Sequence, residues 1–194
     1  QQAQEQARQL EEQTEELTQS QEELLAQKEE LLAQKGELTA QREQLKISEE
    51  RSRMILESSA EGIFGTDIEG RITFINPAAC RMLGFTGPEM IGKPSHALIH
   101  HHHADGRDYP MEDCPMYAAY KHGKASRIDN EFLWRKDGTS LAVEYGATPI
   151  LKDGVIIGSV ISFTDITLRK QQEAEIKSTL DMLEMFAKNE SIDP

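Results

Sequence analysis

Cysteine is scarce in this chain: only Cys80 and Cys114 occur among 194 residues. Neither lies in a C-x-x-C or C-x-x-C-H spacing, which removes the usual zinc, thioredoxin-like and c-type haem readings. Two isolated thiols fit a reducing compartment such as the cytoplasm, with a single disulfide left open. No run of about 18 apolar residues occurs, so no segment reads as a membrane span or a membrane contact. An anchor upstream of this stretch stays open. Basic charge is short as well, at 21 Lys and Arg against 34 Asp and Glu, for a net charge of −13. The imbalance is spread along the chain: 7 basic against 13 acidic residues over 1–53, 10 against 15 over 54–167, and 4 against 6 over 168–194. Without a basic face, nucleic acid is not an expected partner. Neither a G-x-x-x-x-G-K-[ST] nor a G-x-G-x-x-G loop is present to cradle phosphates. The opening QQAQEQARQL lacks both an initiator Met and the layout of a signal peptide, so a piece of a longer protein is expected.

Good helix formers dominate residues 1–53, where Glu, Gln, Leu and Ala are interrupted by one glycine, Gly36. The heptapeptide EELLAQK at 22–28 recurs unchanged at 29–35. Leu10, Leu17, Leu24, Leu31, Leu38 and Leu45 keep a strict seven-residue period. On a helix of 3.6 residues per turn, that period demands a left-handed supercoil. The leucines are therefore the expected seam of a parallel homodimer, in preference to a solvated single helix. Ala7, Thr14, Gln21, Lys28, Lys35 and Arg42 fall in the facing column, which weakens pairing but helps to set register. Leu25 and Leu32 widen the stripe and leave room for more than two helices. Beyond Leu45 the next seam position is Ser52, while apolar residues move to Ile47, Met54, Ile55 and Leu56. That phase break reads either as a hinge or as the point where packing on a sheet takes over.

Residues 62–85, GIFGTDIEGRITFINPAACRMLGF, organise the remainder of the chain. Apolar runs at 62–66 and 71–75 flank a turn of Asp67, Glu69 and Gly70, which predicts a hairpin. Asn76 is placed to cap a helix that starts at Pro77 and stops at Gly84. Thr86 or Gly87 should cap a brief helix around Pro88. Three more strands are predicted at 127–135, 140–150 and 155–164, joined by the turns Lys136-Asp137-Gly138 and Lys152-Asp153-Gly154. Ile176, Leu180, Leu183 and Phe186 then recur at helical spacing, giving an amphipathic helix that needs a partner face. The class is α+β: a five-stranded antiparallel sheet with short helices on one face, preceded by a long coiled-coil helix and followed by a further helix.

The pattern TD…G.I…N.AA…..G within 62–85 resembles the opening of a PAS domain. Asp165-Ile166-Thr167, before Leu168-Arg169-Lys170, is similar to the signature that closes one. The resemblance covers about 54–167 and divides the chain into a signalling coiled coil (1–53), a PAS sensor domain (54–167) and an output helix with linker (168–194). It implies a junction at Asp165 and Thr167 through which the sheet acts on the output helix. It also implies that residues 96–123 border an internal cavity, with Tyr109, Cys114, Tyr117, Phe132 and Trp134 as candidate small-molecule contacts or ordinary core. His102 to Pro115, H-x-x-D-G-x-x-Y-P-x-x-x-C-P, is similar to an insert of one group of bacterial PAS domains.

Histidine is concentrated at His96, His100, His101, His102 and His103, and imidazole is the commonest metal ligand and a haem axial ligand. Consecutive residues point in different directions, so the expectation is a polar surface loop, with a metal or haem site as the alternative. A nucleophilic pairing of Cys114 with one of these histidines lacks an identifiable orienting group and oxyanion hole. No particular cofactor is indicated and no catalysis is expected of these residues. The resemblance implies a relay between an upstream sensor and a downstream effector in the same polypeptide. That effector is a diguanylate cyclase, for which Asp193-Pro194 resembles the lead-in, or a histidine kinase. A ligand-free dimerisation spacer is the remaining alternative.

Overall fold

A computed structural model describes residues 2–190. The side chains of Ala7 and Phe186, and all of Asp193 and Pro194, lie outside the described residues. The chain forms two compact units, one ending at Arg53 and the other starting at Met54. Helix α1 (Gln2–Ser58) accounts for the first unit and continues past the phase break. The six heptad leucines are all solvent-facing in the single chain, from 51 % exposed at Leu38 to 68 % at Leu24. Among the described residues, no helix is long and apolar enough to cross a membrane.

The second unit holds strands β1 (Gly62–Thr66) and β2 (Ile72–Ile75), helices α2 (Pro77–Leu83), α3 (Gly87–Met90) and α4 (Ser95–Ile99), and a 3-10 turn at Met111–Asp113. Helix α5 (Pro115–His122), strands β3 (Ser126–Trp134), β4 (Ser140–Lys152) and β5 (Val155–Asp165) and helix α6 (Thr167–Glu190) complete it. The strands form one antiparallel sheet in the order β2-β1-β5-β4-β3, so the first and last strands in sequence meet at its centre. Asp153 at φ 51 and Gly154 at φ 79 form the turn between β4 and β5. Two successive positive φ values give the mirror-image turn whose twist suits a hairpin.

Helices cover one face. Period-two alternation sends Leu141, Val143, Tyr145 and Ala147 of β4 inward, beside Ile161 and Phe163 of β5. Ala79 and Leu83 of α2, Met90 of α3, Ile99 of α4 and Met116 and Ala119 of α5 pack onto them. Each large side chain buried this way contributes about 1.5–3 kcal/mol. Asn76 anchors the entry to α2. Its Oδ1 accepts from Ile63 N and Ala79 N, both at 2.9 Å, and its Nδ2 donates to Leu56 O at 3.1 Å and Glu61 O at 2.9 Å.

A bulge in β3 decides which side chains reach the helix-covered face. Ile128 lies opposite Tyr145 and Glu131 opposite Val143, with the register slipping between them. Between these pairs two residues of β3, Asp129 and Asn130, oppose the single Glu144 of β4, and the alternation changes parity. Glu131 and Leu133 are turned inward, while Phe132 is turned to the other face.

Candidate functional site

Histidine ligands separated by four residues share one helix face. His96 lies in α4 and His100 terminates it, so both rings project beneath the 101–114 segment, and their centroids are 5.8 Å apart. His100 has no exposed surface, and Cys114, the residue before α5, is 1 % exposed. The surface-loop expectation is thus corrected at its first histidine: the helical turn of α4 carries His100 into the core before the chain emerges. His100 Nδ1 and Cys114 Sγ are 3.1 Å apart. On the other side of the ring, His100 Nε2 faces Glu131 Oε2 at 4.0 Å. Tyr109 stacks obliquely on His100 with ring centroids 4.6 Å apart, and its hydroxyl donates to Glu131 Oε2 at 3.3 Å.

Burial sets the protonation states. It is the main cause that pushes His100 down to about 3, with further repulsion from His96, His103 and His101. Burial also raises the Cys114 thiol, and two backbone hydrogen bonds from Tyr117 and Met116 oppose it only in part. Tyr109 and Tyr145 are raised by burial first, then by their acidic neighbours. The pair is therefore a neutral thiol beside a neutral imidazole. The tautomer that turns Nε2–H toward Glu131 leaves Nδ1 to accept from the thiol.

The order thiol, imidazole, carboxylate is that of a nucleophilic triad. Here the sulfur is buried and protonated, so it lacks both substrate access and thiolate character.

His96, His100 and Cys114 each bring one ligand atom into a group spanning no more than 4.8 Å. His101 and His102 are directed elsewhere. His101 stacks on Trp134 with centroids 5.6 Å apart, and Trp134 Nε1 donates to His102 O at 2.9 Å. His103 stacks on Tyr109 at 4.1 Å. Gly106, at φ 83, closes the intervening loop, as the Asp105-Gly106 pair leads one to expect. Of the five candidate pocket residues, Tyr109 and Cys114 meet around His100. Tyr117 packs with Tyr120 and His122. Phe132 lies beneath Lys170 Nζ, 5.2 Å from its ring centroid, on the other face. Glu131 was not legible as a site residue without the bulge. The i, i+4 spacing of His96 and His100 was legible, and is the signal that separates these two from the rest of the histidine run.

At the end of β5, Asp165 Oδ1 accepts from Thr167 N at 2.8 Å and so orders the first turn of α6. Ile166 N donates to Ala142 O at 2.9 Å, and the Ile166 side chain is 4 % exposed. Both Arg169 guanidinium nitrogens Nη1 and Nη2 donate to Glu144 Oε2 at 3.1 Å. Lys170 reaches Asn130. The start of α6 is therefore tied to β3 and β4 on the face opposite that of Tyr145 and His100.

This architecture defines a class of small α+β domains in which helices cover one side of an open antiparallel sheet. A PAS-fold family model matches residues 50–166, more than half of the chain, and the chain belongs to the PAS family. It is 34 % identical to the probable diguanylate cyclase DgcE of Escherichia coli strain K12 over 119 residues, 61 % of this chain and 10 % of that protein. It is 26 % identical to the signal transduction histidine-protein kinase AtoS of the same strain over 121 residues, 62 % of this chain and 18 % of that protein. The chain thus matches only a small part of these curated relatives. Among solved structures, the PAS domain of an HTR-like protein from Haloarcula marismortui aligns with a TM-score of 0.52 at 18 % identity, covering 66 % of this chain and 99 % of that one. A PAS domain from Colwellia psychrerythraea aligns with a TM-score of 0.51 at 22 % identity, covering 62 % and 98 %. These two likenesses are of fold alone.

Proposed function

We propose that this chain is a dimeric sensory relay of a bacterial signalling protein. Helix α1 carries an upstream input as a parallel coiled coil, the PAS domain at 54–167 senses or relays, and α6 passes the result to a downstream effector. A diguanylate cyclase or a histidine kinase fits that role, since the relatives matched over 119 and 121 residues are named as these two kinds of protein. The observation that carries the reading is the junction. Asp165, Ile166, Arg169 and Lys170 fasten the root of α6 to the sheet, so a shift in β3 or β4 is felt at the base of the helix. The rest of α6 displays Ile176, Leu180 and Leu183, each more than half exposed, as a face for the same helix of a second copy. The mechanism is a population shift between two helix pairings, for which differences of about 1–3 kcal/mol suffice.

The test fuses the chain to a diguanylate cyclase domain after residue 194 and varies the spacing within α1. A seven-residue insertion keeps the heptad phase, and a four-residue insertion breaks it. The relay reading expects cyclase output to survive the first and change severalfold with the second. Output indifferent to both insertions contradicts it and favours a passive spacer.

A further inference from the structure

We propose that His96, His100 and Cys114 form a site for one borderline-soft transition-metal ion, represented by Zn2+, inside the PAS domain. Such a site is independent of how α1 or α6 pair. Hydrogen-bond chemistry at His96 is the starting point. His96 Nε2 lies 2.8 Å from the backbone oxygen of Tyr109. A carbonyl only accepts, so Nε2 carries the proton and Nδ1 keeps the bare lone pair. That Nδ1 is buried and has no partner. At His100, Nδ1 lies 3.1 Å from Cys114 Sγ, while Nε2 faces Glu131 Oε2 at 4.0 Å without a hydrogen bond. His96 thus keeps a bare Nδ1, His100 sets Nδ1 beside the Cys114 sulfur, and the three residues each bring one ligand atom into a group no wider than 4.8 Å. His96 is held as metal-bound histidines are, with its remote N–H directed at a carbonyl.

Unsatisfied polarity gathers at this place. His96 Nδ1, His100 Nε2 and the Tyr145 hydroxyl are three of the four buried side-chain polar atoms without a partner among the described residues. The Tyr145 ring is 6.1 Å from that of His100. A metal ion would take up the His96 Nδ1 lone pair, which left buried and unpaired costs about 1–3 kcal/mol. Two imidazoles and a thiolate select the borderline-soft ions over Mg2+ or Ca2+. Charge also balances: a divalent ion is neutralised by the Cys114 thiolate and the nearby Glu131 carboxylate, which a buried site requires. On binding, the Cys114 S–H bond breaks, a sulfur–metal bond forms, and the proton leaves to solvent. Three protein ligands leave one position open for water or a small molecule, the arrangement of a site that reports on a ligand rather than one that only staples the fold. The half-exposed His101–His103 segment is not part of this centre.

Co2+ is the probe, because a thiolate–cobalt bond has its own charge-transfer absorption. The full chain, stripped with a chelator and kept reduced, is titrated with Co2+ and then with Zn2+. The expected result is one Co2+ per chain, a thiolate-to-cobalt band with intense tetrahedral visible bands, and displacement by Zn2+. Cys80→Ser and a triple His101→Ala, His102→Ala, His103→Ala variant should keep the band, while Cys114→Ser should abolish it and weaken binding at least tenfold. Wild-type protein that gives no charge-transfer band overturns the proposal, whether or not Cys114→Ser folds. So does Co2+ binding that disappears only in the triple variant, which would mark adventitious binding by the loop.

Discussion

Asn76 Nδ2 donates to the carbonyl oxygen of Leu56 at 3.1 Å, joining the last turns of α1 to the start of α2 across β1. Through its other three hydrogen bonds the same amide also holds Ile63, Glu61 and Ala79. Asn76 is 2 % exposed, so no water replaces these partners when the side chain is removed. Asn76→Ala should destabilise the domain by about 2–4 kcal/mol, combining a lost helix cap with buried groups left unpaired. Urea denaturation of the two proteins measures the difference directly.

Gly158 lies where β5 passes the end of β1 at φ 155, and a Cβ there would sit 1.9 Å from Thr66 O. The obstacle is backbone held in the central strand pair, so it cannot swing aside as a side chain could. Gly158→Ala should cost about 3 kcal/mol and lower the thermal midpoint, with Gly92→Ala as a control for a left-handed glycine that has open space around it.

Glu89 accepts from Lys136 Nζ at 2.6 Å and from Thr86 N at 2.9 Å. The Lys136 contact first, and the Thr86 bonds after it, bring its carboxyl from 4.5 to about 2. Because the folded-state value is depressed, the unfolded chain binds the proton more readily, and stability rises with pH across that interval. The advantage of wild type over Glu89→Gln should be full above pH 4.5 and fade as pH falls through about 2. Urea midpoints collected over that range provide the check. A difference that is constant with pH would mean that the ion pair and the capping bonds contribute nothing.

Arg169 and Glu144 pair at the surface, with side chains 49 % and 26 % exposed, so the link adds little to global stability. Its role is local, at the root of α6. Arg169→Ala should shift the denaturation midpoint by less than about 0.5 kcal/mol. Amide hydrogen exchange should nevertheless quicken in the first two turns of α6, with β5 unchanged.

The hairpins were readable because Asp-Gly turns require positive φ, which Gly138 and Gly154 supply at the two predicted places. The α2 cap was equally readable, since Asn76, Pro77 and Gly84 each have one dominant structural use. Sheet order was not. β1 meets β5 through pairs such as Phe64 with Ile161, and no local pattern encodes a partner that far along the chain. The site lay between these cases. Spacing of His96 and His100 on one turn was visible, whereas the approach of Cys114 depends on how the 101–113 loop folds back. Glu131 enters only because the β3 bulge reverses parity, which strict alternation from Ile128 would have missed.

A relay of this kind requires two chains lying side by side through the leucine ladder of α1. Sedimentation equilibrium of the whole chain at high micromolar concentration measures this most directly. The predicted mass is twice the 21.9 kDa of one chain, falling toward a single chain in a Leu24→Asp, Leu31→Asp variant. A wild-type protein that sediments as one 21.9 kDa chain would contradict the relay.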